Sequence, residues 1–78
     1  MTLYDGEKGG CYEVCGVHVE DSISRRLQAL GLNDGTMIKI LNRKKKGALI
    51  IQVRGTRLAL GQHISSGIEV KSGERLNG

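Results

Sequence analysis

The stretch RRLQALGLNDG, Arg25 to Gly35, decides how the rest of the chain is to be read. Just upstream, Glu20-Asp21-Ser22 opens a helix, with Asp21 or Ser22 placed to accept a hydrogen bond from its first free N–H groups. Ile23, Leu27 and Leu30 then recur at helical spacing and form one apolar stripe. Arg25, Arg26 and Gln28 fall on the wetter faces. Gly31 suits the left-handed residue just past a helix end, and Leu32 is placed to fold back toward Leu27 in a Schellman cap. Asn33-Asp34-Gly35 reverses the chain with residues that tolerate positive φ. A helix of about two and a half turns is not stable alone, so it must lie across something, here the open end of a barrel.

Outward from this stretch the chain reads as β structure. Met1 to Gly10 is a polar lead-in anchored by Leu3 and Tyr4, with turn signals at Asp5-Gly6 and Gly9-Gly10. Cys11 to Val19 is a first strand. Cys11, Cys15, Val17 and Val19 share one parity, Tyr12 and Val14 the other. Such a strand is either covered on both sides or bends at Gly16 and changes face. Thr36 to Arg43 is a second strand with Ile38 and Ile40 facing in, and Lys44-Lys45-Lys46-Gly47 is a hairpin tip. Ala48 to Arg54 is a third strand with Leu49, Ile51 and Val53 on one face, and Arg54-Gly55 a tight corner. Thr56 to Leu60 is a fourth, with Leu58 and Leu60 inward and Arg57 outward. Gly61 to Ser66 is one helical or 3₁₀ turn with Ile64 tucked under, and Gly67 to Val70 a last short strand. Lys71 to Gly78 reads as a flexible tail. The fold class is mainly β: a small, partly open SH3-like barrel of about five strands, with one short helix after strand one.

The 78 residues make one domain. A chain of this length buries roughly 60–65% of its unfolded surface. With two tyrosines and no Phe or Trp, its core must be aliphatic. A net charge of +4 tolerates an acidic partner without requiring one. No apolar run approaches the ~20 residues that span a bilayer, and no secretory signal is visible. The expectation is a cytoplasmic protein.

No catalytic constellation is present. The bases His18 and His63 lie on different elements, no motif surrounds any Ser or Cys, and no phosphate-cradling Gly-rich spacing occurs. Cys11 and Cys15 are expected as free thiols, small hydrophobes in or near the core. On an extended strand they sit about 13 Å apart, beyond the ~7 Å limit for a disulfide. Cys15, His18, Glu20 and Asp21 crowd a thiol, an imidazole and carboxylates together, ligands suited to Zn²⁺ or Fe²⁺. A regular strand, however, sends His18 to the face opposite Cys15, and His63 joins only through the tertiary fold. A metal shared between two molecules stays open. Arg25, Arg26, Arg43, Lys44, Lys45, Lys46, Arg54 and Arg57 spread positive charge over the helix, hairpin and strands. They suit phosphates or a carboxylate-bearing protein, but no aromatic is interleaved for base stacking.

RRLQALGLNDGTMIKIL, a following hairpin, and VRGTRLALGQHISSGIEV together resemble the ferrous-iron-transport protein A family, FeoA. The resemblance runs from about Cys11 to Val70. It is most specific at Arg26-Leu27 with Leu30-Gly31-Leu32 and Gly35, and at Gly55 through Leu60 with Ile68 and Val70. It implies a small cytosolic SH3-like barrel, accessory to the membrane ferrous-iron transporter FeoB, whose cytosolic portion carries a GTP-binding domain. It also implies kinship with the C-terminal module of iron-dependent repressors. Many members carry a proline-containing tip where this chain has Lys44-Lys45-Lys46-Gly47, and no family metal site maps onto these positions. The expected contact residues are Arg25, Arg26, Gln28, Lys44, Lys45, Lys46 and Arg57, and a homo-oligomer is compatible. The alternative function is a small basic nucleic-acid-binding barrel.

Overall fold

The computed structural model describes residues 1–73. Its elements run in the order β1 (Cys11–Val17), α1 (Asp21–Ala29), β2 (Met37–Arg43), β3 (Leu49–Val53), β4 (Thr56–Leu60), α2 (Gln62–Ser66) and β5 (Ile68–Ser72), after an opening 3₁₀ turn at Leu3–Asp5. The strands form one antiparallel sheet ordered β4-β3-β2-β1-β5. Among the described residues no ladder joins β4 to β5, so the sheet curls without closing. Alternation sends Ile38 and Ile40 of β2, Leu49, Ile51 and Val53 of β3, and Ile68 and Val70 of β5 into one aliphatic core. Tyr12 and Val14 join it from β1, Leu3 from the opening turn, and Leu27 and Leu32 from the helix and its exit.

The helix exit is built as its residues dictate. The N–H of Leu32 donates to Leu27 O and that of Gly31 to Gln28 O, both at 2.9 Å, the two bonds of a Schellman cap. Gly31 carries the required positive φ of 97°. Leu32 is fully buried, whereas Leu30 of the expected stripe is 44% exposed. The cap turns the chain at Leu30 and hands the core position to Leu32. The entry differs more. Neither Asp21 nor Ser22 caps the helix: the N-cap is Glu20, which makes no side-chain cap bond, and Asp21 is already the first helical residue.

Strand β1 bends. Its pairing with β5 slips between Val14 and Gly16, so Cys15 is the extra residue of a bulge. Before it Tyr12 and Val14 face the core; after it Val17, of opposite parity, packs there. This selects the face change over a strand covered on both sides. Both cysteines are exposed, not core hydrophobes, because the buried parity belongs to Tyr12 and Val14. The strand ends at Val17, ahead of the expected Val19. At the other end of the chain, Lys71 and Ser72 are not tail but strand, opposite Glu13 and Tyr12. Gly73 is likewise tied down, buried with its N–H donating to Cys11 O at 3.0 Å. The remaining expected tail, residues 74–78, lies outside the described residues.

The β3–β4 corner is a two-residue hairpin loop, Arg54 at φ 51° and Gly55 at φ 84°, between the paired Val53 and Thr56. Positive φ at both positions is the turn form that matches strand twist. In α2, Ile64 is partly buried as expected, but the fully buried residue is Ser65, whose hydroxyl donates to Gly61 O at 3.0 Å.

Candidate functional site

Two depressions flank α1. On one side Ile23, Arg26, Leu27 and Leu30 face Leu58, Ala59 and Leu60 of β4 and Ile64 of α2 across an apolar groove of about 280 Å³. On the other, Ser24 and Gln28 face Cys15, Gly16, Val17 and His18, with Leu32, Asn33 and Asp34 closing one end of a polar cleft of about 540 Å³.

The groove follows from the helix and hairpin patterns. Leu27 and Leu60 form its buried floor, at 4% and 5% exposure, while Ile23, Leu58 and Ile64 are half-covered. Leu30, released from the core by the cap, stands at its open side, and Arg26 supplies a cation at its rim.

The cleft follows from the bulge. Because Cys15 is the extra residue and the strand ends at Val17, Cys15 and His18 no longer take opposite faces as in a regular strand. Both line the cleft. The His18 backbone N–H donates to Gly67 O at 2.6 Å, which anchors the turn. Its imidazole folds back so that Nε2 lies 3.0 Å from where a β-carbon on Gly16 would stand. Cys15 Sγ makes only a long contact, 3.8 Å, to Glu13 O.

His63, the third expected metal candidate, does not line that cleft. It sits on α2, its Nε2 3.1 and 3.2 Å from the two carboxylate oxygens of Glu20 at the α1 entry. Glu20's own backbone N–H and this imidazole hold its carboxyl below the usual range. Among the described residues, no three or more His, Cys, Asp or Glu side chains converge on one point.

The expected contact residues are dispersed. Arg26 lines the groove and Gln28 the cleft. Arg25 and Arg57 are exposed on α1 and β4. Lys44, Lys45 and Lys46 are exposed on the β2–β3 tip, next to Gly47, whose surroundings are Gln62 of α2 and the Tyr4 hydroxyl. Arg43 belongs to the scaffold instead. Its guanidinium donates to Gly6 O at 2.7 Å and to Tyr4 O at 2.5 Å, and its Cζ lies 5.0 Å from the Tyr4 ring centroid. Tyr12 is buried, its hydroxyl accepting the Glu7 N–H at 2.8 Å. Both tyrosines therefore serve the fold. Glu20 with His63 and Arg43 with the opening turn were invisible in the sequence, because each pair is joined across roughly forty residues with no local pattern.

An open five-stranded antiparallel sheet with a capped helix after the first strand defines the chain as a small SH3-like domain. The FeoA domain model matches residues 1–72, and the chain belongs to the FeoA family. It is similar to FeoA of Chlorobium tepidum, at 29% identity and TM-score 0.90 over 100% of this chain and 75% of that one. It is also similar to Stenotrophomonas maltophilia FeoA complexed with zinc, at 30% identity and TM-score 0.79 over 91% and 89%. That protein is described as a procaryotic SH3 domain protein and a candidate ferrous iron transport activating factor. ScaR with bound Cd²⁺ matches at 26% identity and TM-score 0.79, over 92% of this chain and 35% of its own. No curated protein matches the sequence significantly. Among the described residues, no helix is long and apolar enough to cross a membrane.

Proposed function

We propose that this domain is a non-enzymatic accessory of ferrous iron uptake that docks on the cytosolic portion of a FeoB-type membrane transporter and regulates or assembles it. It works in the cytoplasm and meets the inner membrane only through that transporter. Membership of the FeoA family supports the process, as does the ferrous iron transport role suggested for the S. maltophilia relative. The observation that carries the contact is the α1–β4 groove: a ready apolar floor, an exposed Leu30 and the Arg26 cation at the rim. Such a groove accepts an apolar side chain of a partner whose neighbouring carboxylate meets the arginine. Arg25, Gln28, Arg57 and the Lys44–Lys46 tip are the outlying contacts.

The test is retention of the purified domain on an immobilised transporter cytosolic domain. Leu30→Asp and Arg26→Glu are expected to reduce retention tenfold or more, and Lys44, Lys45 and Lys46→Ala to reduce it less. Retention unaffected by either groove variant would reject the groove. Nucleic-acid binding that falls steeply with salt and weakens for every sequence in the triple-lysine variant would favour the alternative function.

A further inference from the structure

Apart from Gln28 on its helix side, the cleft on the far side of α1 is not used by this docking, yet among the described residues it holds the clearest pair of soft and borderline donors. We infer that Cys15 and His18 form half of a divalent-metal site, completed when a second copy of the chain presents the same two side chains. The inference does not rest on the transporter contact.

Three observations carry it. The bulge makes Cys15 the unpaired extra residue of β1 and ends the strand at Val17, so the thiol and the imidazole line one cleft instead of opposite faces. Gly16 lies between them, and its missing side chain leaves the space in which His18 Nε2 sits, 3.0 Å from the absent β-carbon. Both donors are exposed, and neither is engaged in an ion pair among the described residues.

Ligand chemistry then fixes the form of the site. A thiolate with an imidazole selects Zn²⁺ or Fe²⁺ over Mg²⁺ or Ca²⁺. Zinc closes a structural shell with four ligands. One chain supplies two, because Asp34 lines the same cleft without forming a three-ligand group with them. A two-fold axis through the metal doubles the pair to two Cys and two His, since such an interface presents the same patch from both copies. On binding, each Cys15 thiol gives its proton to solvent and its sulfur to the metal. Each neutral His18 supplies a ring-nitrogen lone pair, and no redox step is involved.

Co²⁺ is the probe, titrated into micromolar protein under reducing, anaerobic conditions. The expected result is a thiolate-to-cobalt charge-transfer band with tetrahedral visible absorption, saturating at about half an equivalent per chain. A monomer-to-dimer shift in sedimentation and release of about one proton per chain should accompany it. Cys15→Ser and His18→Ala, both at exposed positions, should fold and lose all three signals. Gly16→Ala should weaken binding by about tenfold or more by displacing the ring, with an unchanged unfolding midpoint. His63→Ala should bind like the parent. A missing charge-transfer band, saturation at a full equivalent by a monomer, or signals that persist in the Cys15 and His18 variants would each overturn the inference.

Discussion

The two flanks belong to one nine-residue helix, α1, yet they are built by opposite means. The groove side is a product of periodicity. Ile23, Leu27 and Leu30 repeat at helical spacing, and Leu58 and Leu60 at strand spacing. The cleft side is a product of irregularity: a bulge at Cys15, a strand that stops early and a histidine folded over a glycine. Regular packing spends its side chains on stability and leaves over only those that a cap turns outward, such as Leu30. Broken packing frees polar side chains that a regular strand would have kept apart. One helix thus separates the surface proposed for a protein partner from the surface proposed for an ion.

The largest break in that comparison is at Leu27, the floor of the groove and part of the core. Leu27→Ala should cost about 2–5 kcal/mol by the usual scale for buried leucines, read as a fall in the urea midpoint. Next is Gly31→Ala. The φ of 97° puts an alanine in left-handed backbone, at about 1–2 kcal/mol, and its β-carbon would meet the Arg54 side chain at 2.5 Å. Leu30→Ser should change stability by no more than about 0.5 kcal/mol, as for a surface position, while reducing retention by the transporter domain. A loss as large as that of Leu27→Ala would mean that Leu30 is structural and the groove is closed in solution.

The same contrast governs what could be read from the sequence. The Schellman exit was legible because Leu27, Gly31 and Leu32 fall within six positions and each has a local preference. The five strands were legible from alternation, and the family from motifs that this alternation spaces. Cys15 was not. Whether β1 bends at Gly16 depends on its register with β5, some fifty residues later, and local parity alone puts the cysteines in or near the core. Regular strand parity sets His18 opposite Cys15 for the same reason. Helical spacing alone puts Leu30 on the stripe, because periodicity carries no notice of where a cap turns the chain. The helix entry is not legible locally because its support comes from the tertiary fold, with Glu20 held by its own backbone and by His63 rather than by a local cap.

That entry yields the smallest and most specific effect. Glu20 sits at a terminus shared by both flanks, and its carboxyl is held below the usual range by its own backbone N–H and by His63. A group whose folded pKa is depressed contributes stability above its unfolded pKa and loses it as pH falls through the folded value. The contribution of Glu20 is therefore present at neutral pH and disappears in acid. Asp5 behaves alike, its carboxylate accepting from the Thr2 backbone N–H and hydroxyl at 3.2 and 3.1 Å. Both are exposed, so solvent screens each interaction and the effects are small. Glu20→Gln should leave a slightly less stable protein at neutral pH whose urea midpoint falls less steeply on acidification. Asp5→Asn should flatten the same limb independently, because the two carboxylates share no partner. His63→Ala should reproduce only part of the Glu20→Gln effect, since the backbone bond to Glu20 survives it. If His63→Ala removed the whole effect, the α1 entry would be held by α2 alone, and the two flanks would share one hinge instead of a rigid helix.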